Sequence, residues 1–148
     1  MTADWRAMSP EEAALIRTIV AAAGGKALVL LEHLTDARVR PATTWILDIE
    51  SASPFEADLP NGPLPVRAYV PDETGEDGEV IVWISGGRIS GLEYAWVTDR
   101  QPMRWPVPDE IYCLRRNLID ARPDSARRLD RQVWRLRATN TARRIRRR

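Results

Sequence analysis

One cysteine and one histidine occur in 148 residues, and each scarcity removes a class of chemistry. Cys113 alone forms no intramolecular disulfide, and with only His33 to join it there is no Cys/His cluster of the kind a structural zinc requires. No run approaches the roughly eighteen apolar residues of a membrane span. The opening "MTADWRAMSPEE" has acids and a proline where a secretory signal carries its basic and apolar regions, so a cytoplasmic protein is expected. Lysine is nearly missing too. Arginine outnumbers it twenty-one to one, so arginine abundance by itself says little about a need for guanidinium groups.

What the chain has is a sharp division of charge. Residues 1–114 hold nine basic against eighteen acidic side chains, and residues 115–148 hold thirteen arginines against three aspartates. The total of +1 conceals an acidic body and a basic tail, a split that suits either an external polyanion or a tail folded back on its own domain. With 44% hydrophobic residues the chain can bury one core and is too short for two ordinary domains.

"SPEEAALIRTIVAAAGG" carries the marks of a helix at both ends. Ser9 caps it, Pro10 suits the first helical position, Glu11 and Glu12 favour the positive end of the dipole, and Gly24 or Gly25 ends it. Leu15, Ile16, Ile19, Val20 and Ala23 form its apolar face. A second short helix is expected over "KALVLLEHL". "ARVRPATTWILDIE" turns β-rich and predicts one strand from about Thr43 to Glu50. The four-proline stretch "SASPFEADLPNGPLP" predicts a loop with chain flexibility, "VRAYV" a short strand, and "PDETGEDGE" an acidic turn-rich connection.

"EVIVWISGGRISGLEYAWVTD" is the most patterned segment. Its Gly86-Gly87 pair has the composition of a two-residue hairpin turn, which needs positive φ. A phosphate loop is disfavoured: "GGRISG" has neither the lysine and hydroxyl of a triphosphate loop nor the dinucleotide fingerprint, and no helical pattern follows. Uniform pairing from that turn sets Ile84 against Ile89, Trp83 against Ser90, Val82 against Gly91 and Ile81 against Leu92. Val80, Val82, Ile84, Ile89, Glu93, Ala95 and Val97 then share one face, with Ile81, Trp83, Leu92, Tyr94 and Trp96 on the other. Glu93 stands out, either where its face meets water or buried beside an arginine such as Arg67. A last strand is expected at Ile111 to Leu114.

No catalytic constellation emerges, so no enzyme, cofactor or metal is expected. Cys113 reads as a core or edge thiol and His33 as a surface residue, with no spacing relation between them. Asp48 with Glu50, and the cluster Glu73, Glu76, Asp77 and Glu79, read as solvated acids ahead of an acid/base or metal site. Of six tryptophans, Trp45, Trp83 and Trp134 read as packing residues. Glu93, Tyr94, Trp96, Met103 and Trp105 are the candidate protein-binding residues, since aromatic patches are enriched in binding surfaces.

The tail predicts an amphipathic helix from about Ser125, with Ala126, Leu129, Val133 and Leu136 at helical spacing and a frayed end. It can dock on its own sheet or pair two copies in a homodimer. It can also bind phosphates through Arg127, Arg128, Arg131, Arg135, Arg143 and Arg144, or lie on an anionic membrane.

From Met8 to Ile111 the chain resembles a group of small uncharacterised bacterial proteins. In them an "EEAALI"-like helix and a second helix lead into strands, a hairpin like "VIVWISGGRISGLEYAWVTD" and a return like "PVPDEI". Some members carry a cysteine cluster at the start of the first strand; "PATTWILDIE" stands there in this chain, so the resemblance implies no metal. By class and size it is similar to immunity proteins that neutralise bacterial toxins. The resulting expectation is an acidic α+β domain over 1–114, with two helices on an antiparallel sheet of four or five strands, and a basic helical tail over 115–148. Its expected role is a non-enzymatic protein-binding module, the alternative being a nucleic-acid-associated protein.

Overall fold

The computed structural model describes residues 3–71, 77–96 and 99–115. Helix α1, Pro10–Ala23, is capped as its sequence predicts: Glu12 N–H donates to Ser9 Oγ at 3.1 Å and Ser9 N–H to Glu12 Oε1 at 2.8 Å. Arg6 joins the same carboxylate at 2.8 Å. Burial pulls the Glu12 carboxyl upward, but the Arg6 guanidinium and the Ser9 amide outweigh it and hold the group below its ordinary value. No basic residue lies in the last turn of α1; instead Arg115 reaches in from the sheet and donates through Nε to Ala22 O at 2.8 Å.

The second helix spans Gly25–Thr35 and winds as a 3₁₀ helix. Its buried residues, Ala27, Leu30 and His33, recur every third position, which is one stripe at three residues per turn. His33 is therefore a core residue with no exposed surface, against its expected place outside.

The sheet has eight strands, which corrects the expected four or five. They are β1 (Arg6–Ala7), β2 (Arg38–Thr43), β3 (Ile46–Glu50), β4 (Gly62–Pro63), β5 (Val66–Pro71), β6 (Asp77–Ser85), β7 (Arg88–Ala95) and β8 (Tyr112–Arg115). The order is β1-β2-β3-β7-β6-β5-β8, antiparallel throughout, with β4 beside β5 on the same edge of β6. Three additions account for the difference. The single strand expected over 43–50 is a hairpin, turning at Thr44 and Trp45 with Ala42 as an extra residue; the two-residue β1 and β4 are too short to leave a periodic signal. The fold is α+β, and among the described residues no helix is long and apolar enough to cross a membrane. The expected C-terminal helix lies outside the described residues.

Gly86 and Gly87 make the hairpin turn at φ of 58° and 73°. Their polar groups are committed to the protein: Gly86 N–H donates to Asn61 Oδ1 at 2.9 Å, and Gly87 O accepts from Ala57 N at 2.8 Å. Those bonds also pin the proline-rich loop, which is held again where His33 Nε2 lies 2.6 Å from Phe55 O and Ser51 Oγ donates to Asp36 at 2.7 Å. A loop expected to be flexible is tethered at four points.

Beyond the turn the register departs from uniform pairing. Ser90 is an extra residue, so Trp83 pairs Gly91, Val82 pairs Leu92 and Ile81 pairs Glu93. Leu92 and Tyr94 thereby join Val80, Val82, Ile84 and Ile89 against the helices, and Glu93 moves to the other face with Ile81 and Trp83. The helix-side core gathers Leu15, Ile16, Ile19, Val20, Leu30, Val39, Leu47 and these strand residues. Each such side chain contributes roughly 1.5–3 kcal/mol on burial.

Candidate functional site

At one end of the helix-side face four aromatic rings meet around Trp45, the buried residue of the β2–β3 turn. Its ring centroid lies 5.8 Å from Tyr94 and 5.8 Å from Trp96, both edge-on, and 6.1 Å from Trp105. Tyr94 and Trp105 are themselves 5.8 Å apart. These spacings fall within the favourable range for ring pairs. Gly78 makes room for the arrangement: a Cβ there would sit 2.9 Å from Tyr94 Cε2.

The loop from Asp99 to Ile111 closes this corner. Trp105 donates through its indole N–H to Thr44 O at 3.1 Å, and Pro106 beside it is buried. Arg104 clasps Glu110 through two bonds of 2.6 and 2.8 Å, and Val107 N–H donates to the same carboxylate at 2.9 Å. The Arg104 guanidinium, with the Val107 amide second, pushes the Glu110 carboxyl down to about 2. From this fixed loop Met103 projects almost wholly into solvent, 96% exposed, with Val107 at 47%.

Of the expected binding residues, Tyr94, Trp96 and Trp105 are brought together, and Met103 stands on the loop they support. Glu93 is not with them. It lies on the opposite face of the sheet, where Trp83 donates its indole N–H to Glu93 Oε2 at 3.1 Å. The carboxylate beside Arg67 is Glu79, at 2.9 and 3.1 Å, in a buried ion pair with side chains 9% and 6% exposed. Arg67 also lies 5.4 Å from the centroid of Tyr69, which stacks on Tyr112 at 5.1 Å. Sequence reading missed Trp45 as the hub of the corner, and the charged pair inside "VRAYV" and "GEVIV". The one available signal was a single charge at an inward position of each alternating run.

Cys113 sits on β8 opposite Ala68, half-buried, and burial pushes its thiol above the ordinary value. Among the described residues no three His, Cys, Asp or Glu side chains converge as metal ligands. The candidate phosphate-binding arginines, 127 to 144, lie outside the described residues.

No protein-family model, curated protein or solved structure matches this chain. The corner's own geometry is therefore what bears on function.

Proposed function

We propose that this is a non-enzymatic cytoplasmic binding module that engages a protein partner through the aromatic corner, with Met103 as the inserting side chain and Trp96 and Trp105 as its base. The observation that carries the reading is Met103, 96% exposed on a loop anchored by Trp105 and the Arg104–Glu110 clasp. The anchored loop spares the cost of ordering its backbone on binding, and the flexible thioether side chain, which does give up rotamer freedom, offers an adaptable apolar contact. The acidic balance of residues 1–114 favours a partner with a basic surface, as in an immunity-like or regulatory role.

The charge division favours one competing reading, phosphate binding through the arginine-rich segment. The two separate in fluorescence anisotropy of labelled RNA and DNA, titrated with the full chain at low and physiological salt. The protein-binding reading predicts no saturable signal at physiological salt. Binding that weakens steeply with salt, and that Met103→Glu leaves unchanged, would replace it with the nucleic-acid reading.

A further inference from the structure

Sulfur occurs at Met1, Met8, Met103 and Cys113, and the three of these within the described residues differ sharply in their access to solvent. Met8 is half-buried and packs against the core, with its backbone N–H donating to Ala37 O at 3.1 Å. Cys113 is half-buried on β8, and burial raises its thiol above the ordinary value, which depletes the thiolate that oxidants attack. Met103 is 96% exposed. A thioether has no proton to lose, so its reactivity toward a peroxide follows access.

The loop that carries Met103 is held without it. Arg104 donates to Glu110 at 2.6 and 2.8 Å and to Trp105 O at 3.1 Å. The Trp105 indole donates to Thr44 O at 3.1 Å, and Glu110 N–H to Val107 O at 2.9 Å. Every one of these bonds joins other residues, and a side chain so exposed forms almost no packing contact. A change of polarity at its tip therefore costs the fold little, whereas the same change in a core methionine disrupts packing.

We propose that Met103 is a reversible oxidation site that regulates the aromatic corner. Hydrogen peroxide transfers one oxygen atom to the thioether: the O–O bond breaks, an S–O bond forms, the sulfur gives up two electrons, and the other oxygen leaves as water. A methionine sulfoxide reductase reverses the step, its two thiols closing to a disulfide while the sulfoxide oxygen leaves as water. The sulfoxide is polar, so an apolar pocket that accepts the thioether would have to strip it of water. The site itself rests on exposure and loop geometry; its effect on binding rests on the reading of the corner as a binding surface.

The first test needs no partner. The full-length chain is treated with hydrogen peroxide and sampled over time by peptide mass spectrometry, with near-ultraviolet circular dichroism recorded in parallel. Met103 is expected to gain one oxygen about tenfold faster than Met8 and ahead of Cys113, with the aromatic signal unchanged, and reductase with dithiothreitol is expected to remove it. Met103 oxidising no faster than Met8, Cys113 oxidising first, or an aromatic signal lost in step with the sulfoxide would overturn the proposal. The second arm immobilises the wild type before oxidation, after it and after repair, beside Met103→Glu, and compares the protein each retains from a lysate of the producing organism. Retention lost on oxidation and regained on repair is expected. Retention that Met103→Glu lowers and the sulfoxide leaves intact would overturn the regulation while the binding surface stands. Retention that Met103→Glu leaves unchanged would refute the binding surface, and the regulation with it, whatever the rate of oxidation.

Discussion

At Gly87 a side chain would meet Ala57 O at 2.6 Å, and the backbone sits at a φ of 73°. Gly86, at 58°, has nothing within 4 Å of the same position. Both alanine substitutions incur the left-handed penalty of about 1–2 kcal/mol, and only Gly87→Ala adds a collision with backbone. Chemical denaturation should rank Gly87→Ala as clearly the more damaging; equal losses would mean that the loop does not dock on the turn. The buried pair is a second residue-scale case. Glu79→Gln leaves the Arg67 charge uncompensated away from water and should cost about 3 kcal/mol, while Arg67→Met with Glu79→Leu should recover most of it. If the double replacement is as unstable as the single one, the pair stabilises through more than its charge balance.

Among the elements, β7 shows where pattern reading stops. Gly86-Gly87 marked the turn correctly because positive φ has a strong compositional signature. The register beyond it depends on Ser90, one residue that alternation cannot count. Gly91 inside a strand was the local hint of a bulge, and a Cβ there would lie 3.2 Å from Leu47 O. Since the side-chain period is two, that one residue moved Leu92 and Tyr94 to the core and Glu93 out of the aromatic group. Helix α1 was legible because capping is local, Ser9 and Glu12 being three residues apart; the 3₁₀ winding of Gly25–Thr35 was not, because it follows from which stripe the sheet buries. The aromatic corner was half legible: Tyr94, Trp96 and Trp105 are near in sequence, while Trp45 reaches them only through sheet pairing.

The Asp99–Ile111 loop carries a pH prediction of its own. Glu110 is held below its ordinary 4.5, at about 2, so the Arg104–Glu110 clasp contributes fully above the ordinary value and is lost as pH falls toward 2. The Trp105 indole resonance should shift within that window before the core unfolds. Glu110→Gln should bring the acid-like shift to neutral pH. An indole that stays put until global unfolding would show that Thr44 and Pro106 hold the loop without the clasp.

For the whole molecule, the two sides of one sheet separate two tasks. The helix-side face builds the core and, at its end, the corner that presents Met103. The opposite face carries the buried Arg67–Glu79 ion pair.

The most direct test is to immobilise the full-length chain and its Met103→Glu variant, verified as folded by near-ultraviolet circular dichroism, and compare what each retains from a lysate of the producing organism. The account predicts a defined protein held by the wild type at raised salt, with affinity lowered by roughly thirtyfold, about 2 kcal/mol, in the variant. A partner retained equally by both, or one released by salt alone, would contradict the aromatic corner as the binding surface.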